Sequence, residues 1–334
     1  MIKDFNISAF RASFVPFEFE KGLSRELTAI WVFLSSKFRG LDPRQELVKW
    51  DIRDPAKQMY PDASEEFIDA VIKFFVHSFE LDDLYLESIE GARRDEVCFA
   101  CLHGLNEFSN LYAAARFPQL ASDIQQVVED VKTKYELDIY ICETLQSMFN
   151  ACLVMFPLLN SVEDRKAYLP NMVESWSFTI EGIRMEQKFI GNDIQIPTEK
   201  DYWQNRVFGT VGVLPQLDLC YCVDGTYASK KESRLRLLPL EELVCYQIAI
   251  QNDLITIQKD LRNNHNLNWV IIRGRNVNQA KEDYYQIISK VEAWPNDSFE
   301  QIVSAIKSVG FGCCKWQASA MRYSRLMQLF CYET

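Results

Sequence analysis

The sequence predicts an all-α fold in one domain. Apolar residues recur at three- and four-residue spacing along almost the whole 334-residue chain, the mark of helices with one buried stripe. Runs that alternate apolar and polar, as a half-buried strand would, are scarce. Only 12 glycines and 11 prolines punctuate the chain, and no internal repeat or low-complexity linker divides it. Residues 1–334 therefore read as a single unit, in which residues 1–20 match no element.

Helices are expected at 22–38, 63–80, 95–116, 120–135, 139–157, 169–189, 198–209, 240–263, 275–292, 297–309 and 314–331. Asp62 heads "DASEEF", a polar start followed by early carboxylates. Pro239 before "LEEL" reads as a proline at the first helical position, and Ser298 heads "SFEQIV". A longer loop is expected at about 222–238 (VDGTYASKKESRLRLLP). The best strand-like stretch, "LNWVIIRG" at 267–274, falls inside the helical series and reads instead as a helix continuation or a loop.

With 48% hydrophobic residues the chain can bury a large core. A net charge of −11 and a pI near 5.0 argue against nucleic acid, which needs a basic face. No basic-then-apolar N-terminal signal and no run of 18 or more apolar residues is visible, so the expectation is a soluble, cytoplasmic protein with no membrane span. The ten cysteines form no framework. Cys98 and Cys101 make one CxxC, but in an apolar helical pattern with no convincing second pair. They read as reduced, packed thiols. His77, His103 and His265 show no metal-ligand spacing and read as structural.

One stretch departs from this plain pattern. In "QNDLITIQKDL" (251–261), Asn252, Thr256 and Asp260 are four apart, while Leu254, Ile255, Ile257 and Leu261 fill between them. Four-residue steps stack side chains on one helix face. An amide, a hydroxyl and a carboxylate are hard oxygen donors suited to Mg²⁺, and a cage with one carboxylate wants a second anion such as phosphate. Lys259 stands beside Asp260 and could reach that anion. The bland reading is a capped or solvated stripe.

A second cluster lies in "SFELDDLYLES", where Asp82, Asp83 and Glu87 follow the apolar run "VIKFFVHSF" (71–79). Two like charges at roughly 4 Å repel by about 4 kcal/mol at an effective dielectric near 20, and a cation would relieve this. The bland reading here is a solvated helix end.

These residues resemble the motifs of class I terpene synthases. "NDLITIQKD" is similar to their NSE motif, (N/D)Dxx(S/T)xxx(E/D), with the lysine in its usual place. "DDLYLE" resembles their aspartate-rich motif in a DDxxxE form. "YWQNRVFGTVG" (202–212) resembles the pyrophosphate-sensor segment, with Arg206 at 252 − 206 = 46 residues before Asn252, the family's habitual offset. "WQASAMRYSRL" (316–326) resembles the C-terminal RY element, with Arg322 and Tyr323 as the pair. The resemblance spans about residues 60 to 325.

The resemblance implies a single-domain helical bundle around a central apolar cavity, with the two metal motifs facing each other at its mouth. It implies three Mg²⁺ ions and an isoprenyl diphosphate substrate. Asp82, with Asp83 and Glu87, would hold two ions, and Asn252, Thr256 and Asp260 the third. Arg206, Lys259, Arg322 and Tyr323 would bind diphosphate oxygens. Aromatic faces stabilise carbocations by roughly 0.5–2 kcal/mol each. The candidates are Phe75, Phe79, Phe178, Phe208, Trp316 and Tyr323, whose plain alternative is ordinary core packing. A helix break after the sensor would fall at Gly209 and Thr210, with a normal helix end as the alternative.

Two departures stand out: Asp260 replaces the commoner Glu, and the DDxxxE form leaves contact of Asp83 and Glu87 with metal open. No DxDD-type cluster in a recognisable β-domain is present. The family's single-domain members most often take farnesyl diphosphate, so a C15 substrate is favoured and geranylgeranyl diphosphate is the alternative. A chain-elongating prenyltransferase would carry two DDxxD motifs, and a binding protein without chemistry would not keep Arg206, Asn252, Thr256 and Arg322. The resemblance also allows a homodimer, which the sequence does not mark.

Overall fold

A computed structural model describes residues 53–79, 81, 91–113, 120–137, 139–191, 196–296 and 299–319. It is all-α, and among the described residues the only β-type pairing is an isolated antiparallel bridge between Ile190 and His265. The helices are α1 (Arg53–Met59), α2 (Glu65–Phe79), α3 (Gly91–Ala113), α4 (Leu120–Tyr135), α5 (Ile139–Leu153) and α6 (Val162–Glu186). A short α7 (Glu199–Tyr202) runs into a π-helix, Trp203–Thr210. There follow α8 (Leu214–Cys220), α9 (Lys231–Arg262), α10 (Trp269–Ile272), α11 (Val277–Glu292) and α12 (Glu300–Ser319).

Helix α2 illustrates how the pattern becomes structure. Ser64, rather than Asp62, receives the early N–H of Phe67 at 3.2 Å, and Glu65 and Glu66 face the positive helix end. Phe67, Ile68, Val71, Ile72, Phe74 and Phe75 are then buried together at helical spacing. Phe74 leans on Trp176 of α6 with ring centroids 5.9 Å apart. No described helix is long and apolar enough to cross a membrane. The nine described cysteines are buried and form no disulfide among themselves, and burial pushes the Cys98 thiol up to about 12, as expected of packed thiols.

Four departures from the expectation have a structural reason. Helix α1 was not anticipated; it packs on α12, where Gly312 meets the Met59 backbone. Helix α6 starts at Val162 rather than 169, capped by Ser161, whose Oγ accepts from Asp164 N at 3.0 Å, so Pro170 lies inside it. Helix α9 starts at Lys231, so much of the expected 222–238 loop is helical and Pro239 is interior rather than initial. Burial of Ser233, Leu237 and Leu240, with Arg234 paired to buried Asp218 at 2.6 Å, outweighs the lost proline hydrogen bond. Helix α12 runs unbroken through Gly310 and Gly312, where a break was expected. A methyl at Gly310 would stand 2.9 Å from Gln247 Oε1, so this glycine permits close helix packing rather than a turn. The expected helix at 22–38 and the part of 314–331 beyond Ser319 lie outside the described residues.

Candidate active site

The ladder lies in the second half of α9, where Asn252, Thr256 and Asp260 share one face. Thr256 and Asp260 are 8% and 7% exposed, so they belong to a sheltered site and not to a solvated stripe. Thr256 Oγ1 donates to Asp260 Oδ2 at 2.8 Å, and Asn268 Nδ2 donates to the same oxygen at 2.8 Å. His265 Nδ1 stands 3.7 Å from Asp260 Oδ1. Burial works to raise the Asp260 pKa, but His265, Arg206 and the Asn268 donor outweigh it and hold the carboxyl below its ordinary value.

Arg206 reaches this face from the π-helix. Its Nε and Nη2 donate to Asp253 Oδ1 at 3.0 and 2.8 Å, and Nη2 also donates to Asn252 Oδ1 at 2.7 Å. Nη1 donates to Thr210 Oγ1 at 3.0 Å and lies 3.9 Å from Glu186 Oε1. Burial disfavours the guanidinium charge, but Asp253 and Glu186 more than restore it, so Arg206 stays protonated. Asp253 is fully buried, and its Oδ2 accepts from Tyr202 Oη at 2.7 Å and from Trp269 N at 2.8 Å.

Local sequence explains the π-helix position. Thr198 and Asp201 form a capping box that starts α7. Gly182 of α6 and Gly209 then meet backbone to backbone: a methyl built on Gly182 would stand 2.4 Å from Gly209 Cα. The π-helix ends at Thr210, and Gly212 turns the chain at φ +64°. Where a break was expected near Gly209, the chain instead continues through Gly209 and Thr210 as a π-helix, and the Thr210 hydroxyl accepts from Arg206 Nη1.

A ring of charges closes the site. Glu186, at the end of α6, lies 3.2 Å from His265 Nε2, though out of line for a hydrogen bond. Burial opposes the imidazolium, but Asp260 and Glu186 raise the His265 pKa to about 9. Burial likewise opposes the Glu186 charge, while His265 and Arg206 hold its carboxyl below the usual range. Glu186, Tyr202, Asp253 and Asn268 were not singled out from the sequence, and His265 read there as structural. Asp253 stands inside the quoted motif and could have been. Glu186 carries no local signal, because only the fold brings α6 to the end of α9.

The other expected residues divide by location. Asp82, Asp83, Glu87, Arg322 and Tyr323 lie outside the described residues, and of Phe79 only its helical backbone is described. Lys259 is exposed on α9. Phe75 and Trp316 are buried, Phe75 edge-on to Phe74 at 5.8 Å. Phe208 sits edge-on to the exposed Trp203 at 4.8 Å, and Phe178 is 50% exposed. Phe178 is therefore not a core residue, whereas Phe208 is partly buried and packed against the core. A groove of about 600 Å³ lined by Asp62, Lys230, Asn296 and Phe299 includes none of the candidate residues.

Among the described residues no three His, Cys, Asp or Glu side chains are gathered to hold a metal. The donors that are present are the Asn252 amide oxygen, the Thr256 hydroxyl and the ionised Asp260, all hard oxygens on one face. That set fits Mg²⁺, completed by ligands from another anion. The Asn252 oxygen has a second lone pair beyond the one Arg206 uses.

Comparison with known proteins points to one family. A family model described as "Terpene synthase family 2, C-terminal metal binding" matches residues 73–290. Among solved structures, a variant of cucumene synthase superposes with a TM-score of 0.58 at 14% identity, covering 92% of this chain and 100% of its own. Wild-type cucumene synthase gives 0.54 at 14% identity, with 91% and 100% covered. A structure of a-eudesmol synthase gives 0.52 at 16% identity, with 92% and 99% covered. At these identities the likeness concerns the fold. No curated protein matches the chain.

Proposed function

Because the chain belongs to terpene synthase family 2, we propose that it is a Mg²⁺-dependent class I cyclase that ionises farnesyl diphosphate and closes the cation into a sesquiterpene. One observation carries this reading: Arg206 bonds Asn252 and Asp253, and Asn268 ties the Asp253 carbonyl to Asp260 and through it to Thr256, so the ladder and the guanidinium belong to one hydrogen-bonded network. A cation-binding face beside a fixed guanidinium is what a departing diphosphate needs.

In this reading Asn252, Thr256 and Asp260 would hold one Mg²⁺, and Asp82 with Asp83 and Glu87 the two others. Bound Mg²⁺ supplies Lewis-acid stabilisation of the leaving diphosphate. Arg206 supplies a planar donor fork that stays charged, with Lys259, Arg322 and Tyr323 completing the anion seat. Asp253 and Glu186 hold Arg206 in place, so little reorganisation is left for the moment of bond breaking. Thr210, bound to Arg206, and its neighbour Gly209 would line the substrate-binding surface beside the guanidinium. Phe75, Phe79, Phe178, Phe208 and Trp316 would present apolar or aromatic surface to the cation and keep water from it.

The test is incubation with Mg²⁺ and geranyl, farnesyl or geranylgeranyl diphosphate, followed by gas chromatography–mass spectrometry of the extract. A cyclic C15 hydrocarbon from farnesyl diphosphate supports the proposal. A cyclic C20 product would move the substrate to geranylgeranyl diphosphate. Longer diphosphates on adding isopentenyl diphosphate would replace cyclisation by chain elongation, and unchanged substrates would refute the activity.

A further inference from the structure

Asn268 belongs to none of the motifs, yet it is 0% exposed and lies where the chain returns from α9 into α10. Its Oδ1 accepts from Val270 N at 2.9 Å and caps α10. That bond fixes which end of the amide faces the site. The Nδ2 end donates to Asp260 Oδ2 at 2.8 Å and to the Asp253 carbonyl oxygen at 3.1 Å. The next residue, Trp269, donates its backbone N–H to Asp253 Oδ2 at 2.8 Å. Two consecutive residues outside α9 therefore hold two of its acids, one that seats Arg206 and one that ends the oxygen ladder.

We propose that Asn268 is a positioning residue that holds the Asp260 carboxylate in its metal-ligating orientation. The inference rests on the reading that Asp260 takes part in binding Mg²⁺. Asp260 has the short arm of an aspartate, so its reach depends on one rotamer. Thr256 and Asn268 both donate to Oδ2, and His265 stands beside Oδ1. Without Asn268 one of the two donors that fix this rotamer is gone. Donors behind a metal ligand govern its affinity, and their loss costs roughly 10- to 100-fold.

The capping and donating roles of Asn268 can be separated. Asn268→Ser keeps a hydroxyl that caps α10 but is too short to reach Asp260. Asn268→Asp keeps the capping oxygen and replaces the donor by an acceptor. Asn276→Asp is the control, since Asn276 caps α11 through Gln279 N at 3.1 Å in the same way. Binding of Mg²⁺ together with inorganic diphosphate is measured by isothermal titration calorimetry, with helicity checked by circular dichroism. The expected result is tight binding by the wild type and Asn276→Asp, and about tenfold or greater weakening in both Asn268 variants. Half-saturating Mg²⁺ in turnover should rise in parallel. Wild-type affinity in Asn268→Ser would overturn the proposal, as would equal weakening in Asn276→Asp. Absence of binding by the wild type would instead sink the metal–diphosphate reading on which it rests.

Discussion

Arg206 Nη2 donates to the amide oxygen of Asn252 at 2.7 Å, joining two residues 46 positions apart in the chain. The same nitrogen also bonds Asp253, so one guanidinium group spans the first two residues of the ladder motif. The proposed diphosphate-binding cation and the proposed metal-binding face are therefore already bonded to each other before any ligand arrives.

Arg206→Lys keeps the charge and loses the fork. A lysine ammonium cannot serve Asp253, Asn252 and Thr210 together. Turnover should fall about a hundredfold or more, the order lost when one preorganised donor is removed. Steady-state kcat measures this, and a wild-type value would show that the planar fork is dispensable.

Asp253→Asn removes the charge that faces Arg206 while keeping the shape. Asp253 is fully buried and also serves Tyr202 and Trp269. Leaving a buried guanidinium without its nearest counter-charge should destabilise the fold by about 3 kcal/mol. Urea denaturation reads that loss, and a change under about 0.5 kcal/mol would mean that Glu186 alone suffices.

Gly182→Ala tests how the π-helix is held. The new methyl would stand 2.4 Å from Gly209 Cα and 2.8 Å from Thr210 N, and neither backbone atom can swing aside. Relief requires α6 and the π-helix to separate, at a cost of about 1–3 kcal/mol in stability. Arg206 and Thr210 would move with the segment, so kcat should drop more than the melting temperature alone accounts for. Unaltered kcat together with an unaltered melting temperature would contradict the contact.

Glu241 gives a pH dependence that is separate from the site. It is 1% exposed, Tyr221 Oη donates to its Oε1, and its Oε2 has no hydrogen-bond partner. Burial is the main cause that raises its pKa from 4.5 to about 7; Arg234 and the Tyr221 bond pull it down, and Asp218 adds to the rise. Cys220 and Cys245 are the other titratable groups that face it, and both thiols are pushed up by burial. The folded chain thus favours the neutral acid. Its contribution is full below pH 4.5 and is lost as pH rises through about 7. The loss is on the order of 3 kcal/mol. Glu241→Gln, neutral at every pH, should flatten this part of the stability profile measured by thermal melts between pH 5 and 8. An unchanged slope would show that Glu241 titrates normally.

Much of this was legible before the structure. The α2 and α9 stripes follow from apolar spacing, and that Arg206 and Asn252 share one site is what the family resemblance implies. The interior prolines were not legible, because Pro170 and Pro239 are local stop signals overruled by packing around them. Gly310 and Gly312 misled in the same way, since close helix approach and helix breaking select the same residue. Glu186 and Asn268 were invisible because their roles come from the meeting of α6, α9 and α10. His265 read as structural, and it holds Asp260 and Glu186 by charge.

The central claim is that Asn252, Thr256 and Asp260 ligate a metal that binds the departing diphosphate. Release of inorganic diphosphate from farnesyl diphosphate across a Mg²⁺ titration, compared between the wild type and Asn252→Ala of matched helicity, tests it most directly. The account predicts Mg²⁺-dependent release by the wild type, none in excess EDTA, and at least a hundredfold slower release by Asn252→Ala. Release by Asn252→Ala at the wild-type rate and the same half-saturating Mg²⁺ would contradict it.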